Sequence, residues 1–293
     1  MKRKVGMVGI GLMGHGIALN IVNKGWPLRF LNHSGNQPTE DLINKGARVY
    51  EDPLKLSQDS DIIILCVNGT PQVESLLLGN NGMLSVIKKG TTIIDCSTAI
   101  PSSTEQISRQ VESLGGEFID AAMTRTPYEA RQGRLNLLIG GKPKVFESVE
   151  NLLKTFAENI FYAGPAGSGH KLKLIHNFVS LGFATLLSEA AACANKGNIS
   201  AETLVDVLKK GGGYGAALDR IAPFITDGDV SRMKFSISNA LKDVNYYNTM
   251  AQELGSSTTI ARSLMETIKS LHDAGLGEEY IASASKHLNE VNK

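Results

Sequence analysis

The sequence predicts an α/β protein: a doubly wound parallel sheet followed by an all-α domain that opens on one long helix. Three observations carry this. Short β-prone runs alternate with helical patterns through the first half, as in a parallel sheet with crossover helices. Residues 61–67 (DIIILCV) are continuously apolar, as expected of a strand covered on both faces. Beyond residue 164 helical periodicity takes over and no convincing strand pattern is left.

In order, residues 5–10 read as strand, 14–24 as helix, 27–31 as strand, 39–45 as helix and 47–49 as a short strand. Strand 61–67, helix 73–78, strand 91–95, helix 102–114 and strands 117–120 and 135–140 follow, then helix 145–155 and a last strand at 159–163. The second half reads as helices at 171–197, 201–209, 216–224, 235–253, 260–274 and 280–289. A length of 293 residues suits two domains. The glycine-rich stretch 164–169 places them at 1–164 and 165–293.

Lys and Arg number 30 against 29 Asp and Glu, a net charge of +1 that lacks the basic excess of a dedicated nucleic-acid binder. Cys66, Cys96 and Cys193 each sit in apolar runs, so reduced, buried thiols are expected. Neither CxxC nor a Cys/His cluster suggests a metal. The basic start leads straight into a strand and a glycine turn, not into a signal peptide, and the apolar run 178–187 is too short to span a bilayer. A cytoplasmic protein is expected.

Gly9-Ile10-Gly11-Leu12-Met13-Gly14 is a GxGxxG turn that directly follows a strand and opens a helix. Gly9 permits the tight turn, Gly11 lets a pyrophosphate reach the backbone, and Gly14 lets helix and strand pack closely. The helix N-terminus then offers N–H groups and the positive dipole end to phosphate. The first domain is therefore expected to be of the Rossmann type and to bind NAD(H) or NADP(H). The second strand ends in Asn32-His33-Ser34, without the acid that usually takes the ribose hydroxyl of NAD. All three can donate to a 2′-phosphate, so the sequence leans toward NADP(H). His33 fits an exposed loop residue equally well.

In GSGHKLKLIHN, Lys173 and Asn177 are four residues apart and share a helical face. A lysine can give a proton to a reduced carbonyl oxygen and take it back from the alcohol, and Asn177 can orient lysine or substrate. Taken alone, Lys173 also fits a side chain reaching to solvent.

Four ordered stretches resemble the β-hydroxyacid dehydrogenase family over nearly the whole length. They are VGMVGIGLMGHGIALNIVNKG, the segment DCSTAIP around Ser97, GPAGSGHKLKLIHN, and Leu241-Lys242-Asp243-Val244. The resemblance implies Lys173 as catalytic acid/base, Asn177 as its substrate-positioning neighbour, Ser97 between cofactor and substrate, Lys242 toward the nicotinamide, and assembly through the helical domain into a homodimer or homotetramer. Cofactor contacts are expected at Gly9, Gly11, Leu12, Met13, Gly14, Asn32, His33, Ser34, Val67, Ser97 and Lys242. His176 departs from the asparagine usual in hydroxyisobutyrate-type members.

A larger departure is the substrate loop. Many members read D-A-P-V-S-G-G; here the run from Asp120 is DAAMTRT. The Thr124-Arg125-Thr126 loop resembles that of sulfolactaldehyde reductases. Arginine's fork of donors suits a carboxylate or sulfonate, so Arg125, helped by Thr124 and Thr126, is expected to hold the anionic tail of a small aldehyde. A surface pair with Glu129 is the competing reading. Residues 211–215 (GGGYG) fit either a lid or a helix terminator. Competing functions are imine reduction, against which Lys173 argues, and a non-catalytic NADP(H)-binding module.

Overall fold

A computed structural model describes residues 2–291. They divide into two compact units, which meet in the sequence between residues 173 and 174. The first unit contains β1 (Val5–Val8), α1 (Leu12–Asn23), β2 (Leu28–Leu31), α2 (Glu40–Asn44), β3 (Arg48–Tyr50) and α3 (Pro53–Gln58). It continues through β4 (Ile62–Leu65), α4 (Thr70–Leu78), β5 (Thr92–Asp95), α5 (Pro101–Ser113), β6 (Glu117–Thr124), α6 (Pro127–Arg131), β7 (Leu135–Gly141), α7 (Pro143–Leu153) and β8 (Ala157–Gly164).

The eight strands form one sheet in the order β3-β2-β1-β4-β5-β6-β7-β8. Ile62 and Ile64 of β4 pack into one apolar cluster with Met7, Ile17 and Phe30, while Ile63 and Leu65 pack into the opposite cluster with Val73, Ile107 and Phe118. That alternation is why the run reads as apolar throughout: both faces are covered. The order reverses between β1 and β4, and their carboxyl ends flank the crevice where open α/β sheets bind ligands.

One expectation is modified. The sheet is not wholly parallel, because β7 runs antiparallel to β6. β6 extends to Thr124, four residues beyond the expected end, so only residues 125–134 connect it to β7. A parallel crossover needs a dozen or more residues. α3 and α6, each opened by a proline after an Asp or Thr cap, were not among the expected helices.

α8 (Ser168–Lys196) begins in the first unit and continues into the second. It is the one helix among the described residues long and apolar enough to cross a bilayer, and half of its most apolar stretch is buried, as in a core helix. The second unit adds α9 (Ala201–Lys210), α10 (Ala216–Asp227), α11 (Ile237–Glu253), α12 (Thr259–Leu271) and α13 (Ala284–Val291). Its main core joins Leu181 of α8 to Ile237 and Val244 of α11, Leu264 and Ile268 of α12, and Leu288 of α13.

Candidate active site

The nucleotide turn is shaped for a phosphate. Gly9 has φ of +95°, and a Cβ there would lie 2.2 Å from the Cys66 carbonyl oxygen. A Cβ on Gly14 would lie 1.9 Å from the carbonyl oxygen of Gly9, so helix and strand could not close on each other. At Gly11 a Cβ would meet nothing within 4 Å. That open face lies at the start of α1, which has no side-chain cap and no acid in its first turn. Its first N–H groups have no intrahelical partner and point toward this opening. Leu12 is exposed beside it and Met13 is half-buried. These residues fit a dinucleotide pyrophosphate.

Val67 and Ser97 lie next to this turn, at the carboxyl ends of β4 and β5. The Val67 N–H donates to Ser97 Oγ at 3.1 Å, and the Ser97 N–H donates to Asp95 at 2.9 Å. The Ser97 carbonyl is held by His170, which is fully buried, at 3.1 Å from Nε2. A carbonyl only accepts, so Nε2 carries a proton, and Nδ1 lies 2.7 Å from Thr104 Oγ1. Burial pushes the Asp95 carboxyl up from its ordinary range, opposed by His170 4.0 Å away.

Asp120 anchors the opening of α8. Its two oxygens accept the N–H groups of Gly167 (2.7 Å) and His170 (2.8 Å), both buried bonds. Lys173 follows three residues later and is half-buried. Sequence reasoning quoted Asp120 only as the start of the substrate loop, and gave neither it nor His170 a role. The cap is invisible without knowing that β6 and α8 meet.

In the second unit, Asn177 and Lys242 are brought together through Asp243. Asn177 Nδ2 donates to Asp243 at 2.6 Å, and Lys242 Nζ lies 3.2 Å from the other carboxylate oxygen. His176 Nδ1 lies 3.0 Å from Asn177 Oδ1. Asn177 and Asp243 are buried, so the amide ties α8 to α11. Asp243 was visible in the Leu-Lys-Asp-Val stretch but carried no expected role.

The substrate-loop residues each have a distinct partner. Thr124 Oγ1 accepts from Asn136 Nδ2 at 3.0 Å. Thr126 caps α6 and forms a reciprocal capping box with Glu129. Arg125 does not pair with Glu129; its Nη1 donates to the Glu158 carboxylate and to the Arg134 carbonyl. Both contacts use one nitrogen of a group with five N–H donors. Arg125 also has φ of +82°, one of two non-glycine residues with positive φ among those described. It stands where the D-A-P-V-S-G-G pattern has its first glycine. Side chains other than glycine avoid this region at roughly 1–2 kcal/mol.

At the far side of the turn, Asn32 donates its amide to both oxygens of Glu51, at 3.0 and 3.2 Å. His33 Nδ1 accepts from the Gly35 N–H at 3.0 Å. The lean toward NADP(H) rested on the lack of an acid here, yet β3 brings one.

The expectation of buried thiols holds for Cys96, while Cys66 is half-buried. Burial pushes the Cys66 thiol up to about 12 and raises that of Cys96 as well. Cys193 is exposed, because α8 turns that flank outward. Alkylation of the native protein at pH 8 is therefore expected at Cys193 first. Modification of Cys66 or Cys96 at a matching rate, read by peptide mass spectrometry, would contradict this burial.

Two family profiles match nearly the whole chain. One, described as the NAD binding domain of 6-phosphogluconate dehydrogenase, covers residues 4–164. The other, described as the NAD-binding domain of NADP-dependent 3-hydroxyisobutyrate dehydrogenase, covers residues 167–288. The chain is 27% identical to the uncharacterized oxidoreductase YkwC of Bacillus subtilis over 285 residues, 96% of this chain and 98% of that protein. It is 34% identical to 2-hydroxy-3-oxopropionate reductase of Escherichia coli over 193 residues, 66% of this chain and 65% of the other. The fold matches 3-hydroxyisobutyrate dehydrogenase of Mycobacterium tuberculosis at a TM-score of 0.86, with 20% identity, covering 98% and 99% of the two chains. With the glycine turn, the mostly parallel sheet and the helical second unit, these matches identify the chain as a member of the β-hydroxyacid dehydrogenase family and an NAD(P)-dependent oxidoreductase of the hydroxyacid and semialdehyde class.

Proposed function

We propose that this enzyme interconverts a small aldehyde bearing a carboxylate or sulfonate with the corresponding 3-hydroxy acid-type alcohol. The observation that carries the anionic tail is Arg125, an arginine kept on a left-handed turn at the carboxyl edge of the sheet. The backbone there suits glycine, so the side chain must return more than the strain it imposes. The relative named 2-hydroxy-3-oxopropionate reductase has a small semialdehyde acid as its substrate by name, which supports the same class.

When bound, the nicotinamide supplies or takes the hydride; the protein's part is positioning and proton transfer. Gly9, Gly11 and Gly14, with Leu12 and Met13, hold the pyrophosphate, and Val67, Ser97 and Lys242 lie toward the nicotinamide. Lys173 gives the carbonyl oxygen its proton during reduction and takes it from the alcohol in the reverse direction. Asn177, held by Asp243, orients the lysine and the substrate. Thr124, Arg125 and Thr126 hold the tail, and Ser97, fixed by His170, faces the reacting carbon. Residues 1–164 act as the nucleotide domain and 165–293 as the substrate and assembly domain. The lack of an acid directly after β2 favours NADP(H), but Glu51 from the neighbouring strand opposes that preference.

Assembly into a homodimer or homotetramer fits the exposed apolar residues Val179 and Leu186 of α8 and Ile260 of α12. Buried against a second copy they would form an isologous seam. A cytoplasmic enzyme matches this chemistry.

The test follows reduced-nicotinamide absorbance against malonic, succinic and tartronic semialdehydes, glyoxylate and sulfolactaldehyde, beside neutral aldehydes of the same size. Turnover confined to the anionic aldehydes is expected. Equal turnover of neutral aldehydes of the same size would defeat the substrate class.

A further inference from the structure

We infer that Glu51 sets the choice of dinucleotide and sets it for NAD(H). The inference rests on the reading of the glycine turn as a dinucleotide site. It begins with the strand register: β2 and β3 are parallel, with Leu31 opposite Tyr50. The next residues, Asn32 and Glu51, therefore lie side by side just beyond the carboxyl ends, and the Asn32 N–H donates to the Tyr50 carbonyl at 2.7 Å. In this fold that is where the adenosine ribose is recognised.

The chemistry of the pair then decides the ligand. Both Glu51 oxygens lie 3.0–3.2 Å from Asn32 Nδ2. The amide must face this way, because turning its oxygen to the carboxylate would oppose two acceptors. Asn32 thus shares one N–H between the two Glu51 oxygens and keeps its second N–H and its carbonyl oxygen. His33 spends Nδ1 on Gly35, leaving Nε2 as its outward nitrogen. Residues 32–37 (NHSGNQ) and 51–54 (EDPL) contain no lysine or arginine. Asp52 adds a second carboxylate at the start of α3.

A ribose diol donates two O–H groups and suits an acceptor-rich corner. A 2′-phosphate is only an acceptor and carries close to two negative charges, so it would meet the Glu51 carboxylate with repulsion and no lysine or arginine in these segments to offset it. Glu51 is exposed, so the repulsion is screened by salt.

The experiment titrates the full chain with NADH and with NADPH, reading Kd from calorimetry or nicotinamide fluorescence, at low salt and again near 1 M. NADH is expected to bind about tenfold or more tightly than NADPH, and the gap should narrow at high salt. Glu51→Gln keeps size and polarity but removes the charge. It should tighten NADPH several-fold and weaken NADH, shifting the ratio toward NADPH, with the melting temperature unchanged. Tighter NADPH binding by the wild type, or a NADPH/NADH ratio unmoved by Glu51→Gln, would overturn the inference while leaving the dinucleotide reading intact. Binding of neither cofactor would bring down that reading and the inference with it.

Discussion

Lys173→Ala is expected to lower kcat for the best anionic aldehyde by about 10²–10⁴-fold, the usual range for a positioned acid/base group. The Kd for the reduced dinucleotide should not change, because the glycine turn and the Ser97 segment do not depend on this side chain. The geometry behind this begins at Asp120. A buried carboxylate holds the N–H groups of Gly167 and His170, which fixes the first turn of α8 and therefore the direction in which residue 173 leaves it. The second support lies one turn later, where Asn177 is pinned by Asp243. Buried anchors before and after residue 173 hold the stretch of helix from which the lysine leaves. Small primary amines added to Lys173→Ala should restore part of the rate, whereas Lys173→Met, whose side chain fills that space, should not be rescued. A fall in kcat of less than about threefold would instead show a lysine that merely reaches solvent.

Much of this architecture is written locally. The run 62–65 announces a strand buried on both faces, and GxGxxG between strand and helix announces the nucleotide turn, because each signal lies within a few adjacent residues. The direction of β7 was less legible. Ending β6 at Asp120 left room for a crossover, whereas its true end at Thr124 leaves ten residues and forces the antiparallel return. Side-chain partners were least legible. Glu51 reaches Asn32, Glu158 reaches Arg125 and Asp120 reaches Gly167 across strand registers or element junctions that no local pattern encodes. Asp243 is the exception, being adjacent to Lys242 in a stretch already singled out. The proposed cofactor preference departs from the sequence expectation for this reason: Glu51 lies just beyond β3, whereas the expectation rested on the end of β2.

Arg125→Gly is expected to raise KM for the anionic aldehyde by about 30- to 1000-fold, the penalty of losing a charge partner worth roughly 2–4 kcal/mol. Glycine is the informative replacement because two effects separate. With φ at +82°, alanine would lose the guanidinium yet keep the strained backbone. Glycine removes the strain too, so the protein should be as stable as the wild type or more so by about 1 kcal/mol. Loss of the pair with Glu158 subtracts little, since that carboxylate is half exposed in the pair. A drop in melting temperature would therefore not explain the kinetic change, and dinucleotide affinity should stay where it was. The variant loop would read Thr-Gly-Thr, close to the Ser-Gly-Gly of many relatives, in which backbone and hydroxyl groups take the tail without a cation. If the substrate is a sulfonate or relies on the full charge, KM should rise steeply and be insensitive to tail length. If it is a small carboxylate that the glycine loop can also cradle, the rise should sit near the lower end of the range and be smallest for the shortest acid. An unchanged KM across the panel would mean that Arg125 serves only Glu158 and the Arg134 carbonyl, and the anionic tail would then have to be held by another group.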